Sequence, residues 1–249
     1  IHTAALISLG AGILLLAFGI FFARDLLILL HTKDELIEGA VSYLHVYSLG
    51  MPAVALYNFG NAVFSAAGNT KKPLQYLTLA GVVNIVLNLF FVIVLKIDVC
   101  GVAAASAISQ YLSAGLLLKD LFCTKELYGM RLTELKFTGE KAGKILKLGV
   151  PSAFQYMIYS VANLFVQTGV NTFSATVVAG NSAAANADNL VYDLMAAFYT
   201  VCGSFMGQNL GAGKRDRVIK SYLICLLYSF VAGLIAGLLL VAFGTQFLG

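Results

Sequence analysis

Asp188 and Asp193 lie in Ala183–Met206, a stretch that contains no Lys or Arg. It is long enough to cross a bilayer core of roughly 30 Å, which a helix spans in about 20 residues. An Asp near the centre of such a helix costs on the order of 2.5–3.5 kcal/mol on insertion scales. Keeping a pair of them requires a wet cavity, a proton or a bound cation. Asp188 shares a helical face with Asn181, Tyr192 and Tyr199, and Asp193 lies beside it with Ser182, Asn186, Asn189 and Thr200. A carboxylate next to tyrosine rings suits a lipophilic cation, through charge and cation–π attraction.

Other polar groups recur at helical spacing. Gln155, Tyr159, Asn163, Gln167 and Asn171 follow one another every four residues, one polar face on an otherwise apolar stretch. Facing lipid, it would strand its hydrogen-bonding groups, so it is expected to face a cleft. Asn84 and Asn88 stand one turn apart, and Asn61 belongs to a stripe of Tyr47, Gly50, Asn58, Asn61 and Ser65. Amide oxygens are hard ligands suited to Na⁺ and are equally able to hydrogen-bond between helices. Both readings stand at this level.

These groups must be positioned by apolar helices. The chain has 249 residues, of which 59% are hydrophobic and 11% charged. Its mean hydropathy is +0.86. An ordinary soluble domain carries about 25% charged residues, and a β-barrel would alternate in short segments. A polytopic helical membrane protein is the expectation. Seven apolar segments can be marked: 4–23, 41–67, 74–95, 99–118, 148–173, 177–206 and 218–247. Pro52, inside the second, is expected to weaken its backbone ladder. Cys100, Cys123, Cys202 and Cys225 are too scattered to suggest zinc or a disulfide framework.

Basic residues orient the segments. The joints 68–73, 119–147 and 208–220 hold thirteen of the sixteen Lys and Arg, and the alternate joints hold three. The positive-inside rule places the first set in the cytoplasm. The longest joint, 119–147, reads as a solvated loop or an anionic-lipid contact, and it divides four segments from three. Leu9, Ala11, Gly12, Leu14, Ala17, Phe18 and Gly19 recur at a constant offset of 225 as Leu234, Ala236, Gly237, Leu239, Ala242, Phe243 and Gly244, an echo consistent with two repeats.

Three stretches resemble one known family. Gly207-Gln208-Asn209-Leu210-Gly211-Ala212-Gly213 resembles the loop after the second helix of a half in the multidrug and toxic-compound extrusion (MATE) transporters. Ser65 to Pro73 looks like that family's GxGDTxxP joint. Asn84 to Asn88, followed by Gly101 to Gln110, looks like its fifth and sixth helices. The resemblance implies an all-α, pseudo-symmetric two-lobe protein of twelve helices, of which these segments are helices three to nine. Residues 1–118 are then four helices of the amino-terminal lobe, 119–147 the cytoplasmic inter-lobe linker, and 148–249 the first three helices of the carboxy-terminal lobe.

The resemblance further implies export of small amphiphilic or cationic compounds by alternating access, in exchange for Na⁺ or H⁺. No cofactor beyond that coupling ion and no nucleic-acid partner are expected. The expected setting is a bacterial plasma membrane, with the full-length protein a monomer. Asn61, Asn84, Asn88 and Ser106 match a cation site that a helix-one Asp completes; here Asn88 stands where many members have Asp. Gln155, Tyr159, Asn163, Gln167, Asp188, Tyr192 and Asp193 are the expected substrate cleft, with Tyr159 where some members carry Glu. The segment after Met206 reads as a tight turn with glycines free to take positive φ.

Rival functions fit less well. A lipid-linked saccharide flippase of the same superfamily would need cations for phosphates, and the seven segments hold no Lys or Arg except Lys220, at the start of the last. An intramembrane enzyme lacks H-E-x-x-H, G-x-S-x-G and a second G-x-G-D aspartate. A non-transporting scaffold or receptor stays open, because a polar cleft can serve as a binding pocket alone.

Overall fold

The computed structural model describes every residue except His31, Lys33, Asn171 and Gly249, and sets aside the side chains of Ala175 and 245–248. Asn171, the last residue of the polar face expected on the fifth segment, therefore lies outside the described residues. All regular structure among the described residues is helical. The order is α1 (His2–Leu29), α2 (Asp34–Ser48), α3 (Met51–Ala66), α4 (Lys71–Leu89) with a π-helical turn (Phe90–Val94), α5 (Val99–Cys123), a 3₁₀ turn (Leu132–Glu134), α6 (Gly139–Val170), α7 (Ala175–Gly211) and α8 (Arg215–Leu248).

Among the described residues, five helices are long and apolar enough by themselves to cross a membrane: α1, α4 with its π turn, α5, α7 and α8. The other two expected spans differ for identifiable reasons. The second is not one weakened helix but two, α2 and α3, which part at Leu49–Gly50. Pro52 has no N–H to offer the preceding turn, and it stands in the first turn of α3, where that loss is harmless. In the fifth, the stripe of Gln, Tyr and Asn on α6 lowers the hydropathy that a lipid-facing helix would show.

Two of the basic joints begin with the same helix stop. After α3, Gly68 takes φ 83°, and after α7, Gly213 takes φ 71°. In each, the glycine N–H and the next N–H turn back onto the last helical turn: Gly68 to Ser65 O and Asn69 to Phe64 O, Gly213 to Leu210 O and Lys214 to Asn209 O. This is a Schellman cap, which a side chain would strain at its left-handed residue.

The chain divides into two compact units, Ile1–Lys147 and Leu148–Gly249. In the amino-terminal unit α1 packs on α2 and α3, and α5 packs on α2, α3 and α4. Small residues permit the approach: a Cβ on Gly12 would stand 2.7 Å from Pro52 Cα on α3. Ala53, Ala103 and Ala105 are fully buried, and Phe64, Leu117 and Leu121 anchor a core that reaches Met130.

The long basic joint starts as part of this unit. Met130 is buried and its N–H donates to Leu121 O at 2.8 Å. Tyr128 sets its edge against Phe64. The Arg131 N–H donates to His2 Nε2, while buried Thr3 donates to Lys136 O and accepts from the Thr138 N–H. Residues 128–138 are thus a strap tied to the start of α1, while 131–137 stay exposed, as in the solvated loop expected from the sequence.

The carboxy-terminal unit is built differently. α7 and α8 form an antiparallel hairpin along their lengths. Apolar side chains of α6, α7 and α8 are largely exposed, a surface suited to acyl chains.

Candidate functional site

In the amino-terminal unit the structure draws Asn84, Asn88 and Ser106 into one relay. Asn88 Nδ2 donates to Asn84 Oδ1 at 3.0 Å, and Asn84 Nδ2 donates to Ser106 Oγ at 3.4 Å. Both bonds point the same way, from Asn88 through Asn84 to Ser106, and the amide oxygen of Asn88 accepts from neither. Asn88 Oδ1 is buried and has no hydrogen-bond partner among the described residues. Leaving such a group unsatisfied costs about 1–3 kcal/mol. A cation or a proton donor placed there would remove that cost. The relay ends where α4 gives way to the π turn at Phe90, a distortion frequent at functional sites.

Asn84 and Ser106 also line a cavity of about 290 Å³ with Tyr47, Ser109, Gln110 and Ser113. Asn61 is not on its wall; it accepts a 3.4 Å bond from Ser65 one turn along its own helix. Thus α4 and α5 supply the relay, and α3 does not join it. Ser109, Gln110 and Ser113 were not singled out from the sequence. Their spacing from Ser106 (three, four and seven positions) marks a helical face and was readable. The cavity donors are hydroxyl and amide groups, and no three His, Cys, Asp or Glu gather anywhere among the described residues.

In the carboxy-terminal unit Gln155, Tyr156 and Tyr159 of α6, Tyr192 and Tyr199 of α7 and Ser229 of α8 line a cavity of about 620 Å³. Asn163, Gln167, Asp188 and Asp193 are not part of its wall. Asn163 stands one turn beyond Tyr159, and Asp188 one turn before Tyr192, about 6 Å along the helix axis. The stripes therefore run past the cavity. Asp188 and Asp193 are exposed, and neither has an ion-pair partner among the described residues. Tyr156, missed in the sequence, was signalled by its spacing from Ser152 and Tyr159.

A further polar cluster holds the ends of α4 and α5 together. Lys72 Nζ and Tyr76 OH each reach Asp120 Oδ2 at 2.7 Å. The Lys72 ammonium lies 5.9 Å from the centre of the Phe64 ring. This cluster stands at the basic joints and touches neither cavity.

Known proteins share both sequence and fold with the chain. The sequence model of the MatE family matches residues 1–90 and 151–249. A probable multidrug resistance protein, YpnP of Bacillus subtilis, is 31% identical over 218 residues, 85% of this chain and 46% of that protein. Protein DETOXIFICATION 42 of Arabidopsis thaliana is 31% identical over 176 residues, 70% of this chain and 34% of that one. An outward-facing multidrug resistance MATE transporter superposes with a TM-score of 0.84 at 22% identity, covering 99% of this chain and 56% of that one. The chain thus spans about half or less of these proteins' length. Helices that cross a membrane, the order of the motifs and the match over most of the chain lead to one assignment: this polytopic membrane chain belongs to the MatE family of transporters.

Proposed function

We propose that the chain contributes to a secondary antiporter that exports organic cations and other small amphiphiles against inward movement of Na⁺ or H⁺. The observation that carries this reading is the orphaned Asn88 Oδ1 at the end of the Asn88–Asn84–Ser106 relay. A buried acceptor without a partner is a place where a small cation or a proton donor would remove a desolvation cost. Asn84 Oδ1 and Ser106 Oγ retain lone pairs beside it. Asn61 would join the set through a shift of its helix, and an acidic residue on a neighbouring helix would complete it.

The tyrosine-lined cavity supplies the substrate half of the reading. Rings of Tyr156, Tyr159, Tyr192 and Tyr199 offer faces for a flat or cationic molecule, worth about 0.5–2 kcal/mol for each cation–π contact. Gln155 offers directional hydrogen bonds. Asn163, Gln167, Asp188 and Asp193 extend the polar path beyond it, the carboxylates attracting cations toward the rings. The plasma membrane is the setting in which such export has a use.

Proteoliposomes carrying the full-length protein, loaded with a cationic dye and given an imposed Na⁺ or H⁺ gradient, test this directly. Dye movement should follow one of the two gradients, and Asp188→Asn should abolish it at normal insertion. Movement that ignores both gradients would overturn the antiport reading. Unchanged movement in the variant would remove Asp188 from the path.

A further inference from the structure

Cys202 and Cys225 are separated by most of a hairpin in sequence, yet α7 and α8 bring them to one depth. Cys202 lies nine residues before the end of α7 at Gly211, and Cys225 ten residues after α8 begins at Arg215. Folding about the Gly213 cap therefore sets them opposite one another. The Cys202 thiol donates to Met206 Sδ at 3.4 Å, and Cys225 lines the same small cavity from α8. Both cysteines are half-buried, neither is in a disulfide, and both face a cavity of about 150 Å³ walled by Phe198, Tyr199 and Tyr222. Two thiols on facing helices thus border one open space, and the Met206 thioether is bonded to the first of them.

We propose that Cys202, Cys225 and Met206 bind a soft monovalent metal ion, Cu⁺ in the reduced state of the thiols. The donor set selects the metal. Thiol and thioether sulfur favours Cu⁺ over hard ions. Zn²⁺ takes four ligands, usually with imidazole or several thiolates, and the wall of this cavity carries no imidazole or carboxylate. Charge selects it as well. Cu⁺ replacing the proton of one thiol gives a neutral thiolate–metal pair, with that proton released to water. The second thiol and the thioether complete three-coordination without adding charge. A divalent ion would have to displace both thiol protons to reach the same neutrality.

Tyr199 and Ser229 line this cavity and the larger tyrosine-lined one alike. An ion held by both helices would pin the shared wall. The site does not depend on the antiport reading, since its ligands belong to neither the Asn88 relay nor the substrate cavity.

The purified full chain in lipid nanodiscs, kept reduced and anaerobic, is titrated with Cu⁺ against bicinchoninate, a chromogenic Cu⁺ chelator. One Cu⁺ per chain should be withdrawn from the chelator. Cys202→Ser and Cys225→Ser should each weaken that binding at least about tenfold, Met206→Leu less, and the paired Cys100→Ser and Cys123→Ser variant not at all. X-ray absorption of the loaded wild-type chain should show a sulfur-only shell, a readout that needs no variant to fold. Wild-type binding no tighter than that of the Cys202→Ser, Cys225→Ser double variant would overturn the proposal. A shell containing nitrogen or oxygen would overturn it too.

Discussion

The amino-terminal unit closes around its polar groups, and the carboxy-terminal unit leaves its own in the open. Between α4 and α5 the amides and hydroxyls are held by neighbours a single bond away, down to one buried acceptor with none. Around α6, α7 and α8 the side chains stand apart about a cavity roughly twice as large, with Tyr159 58% and Tyr199 75% exposed. The difference suits the two roles proposed above. A small ion is recognised by fixed ligands at short range, so its cage has to be stiff. A varied set of larger molecules is held by area, ring faces and room to adjust. Packing sets the stiffness: Gly12 against Pro52 and the fully buried Ala53, Ala103 and Ala105 leave the amino-terminal helices no slack.

This contrast can be broken at its base first. Phe64 is 1% exposed at the heart of the amino-terminal core, and Phe165 on α6 is 74% exposed. Phe64→Ala should lower unfolding stability in detergent by about 3–5 kcal/mol. Phe165→Ala should stay within about 0.5 kcal/mol. Equal losses would mean that the two units do not differ in packing.

A smaller effect sharpens the ion half. Asn88→Ala removes the orphaned acceptor, so it should relieve a local cost while abolishing the gain from an added cation. Stabilisation of the chain by Na⁺ or by protons, read as a shift in thermal unfolding, should fall by about 1.5–3 kcal/mol of ion interaction, or roughly 10- to 150-fold in affinity. Asn61→Ala, outside the relay, should change it less. The reverse order would place the ion nearer α3.

The smallest effect concerns the clasp at the basic joints. Lys72 is 45% exposed and Asp120 23% exposed, so their 2.7 Å pair gains little from charge alone. Asp120→Asn should cost about 1 kcal/mol or less, with the tyrosine cavity's ligand affinity unchanged. A change in that affinity would contradict a role for the clasp confined to the ends of α4 and α5.

Much of this was legible in the residues, and the exceptions share a cause. Apolar runs of membrane length and a lopsided distribution of Lys and Arg revealed the helical class. Pro52 revealed where the second segment is interrupted, though not that it becomes a complete break. The pairing of Asn84 with Asn88 followed from helical spacing. That Ser106 joins them and Asn61 does not is a matter of which helices touch, and spacing within one helix is silent on that. The π turn over Phe-Phe-Val-Ile-Val carries no local marker. The strap was hidden because its ties are distant: Arg131 to His2, and Thr138 to Thr3. Cys202 and Cys225 looked unrelated until the Gly213 cap fixed the register of the hairpin.

The account rests on polar helix faces being bathed by water inside the membrane while apolar faces meet lipid. In a chain with its native cysteines changed to Ser, Tyr159→Cys, Tyr192→Cys and Phe230→Cys place single thiols at mid-helix depth, the first two on the large cavity and the third off it. A charged maleimide added to the protein in nanodiscs should label the thiols at 159 and 192 and spare that at 230. Labelling at 230 with none at 159 and 192 would contradict the account.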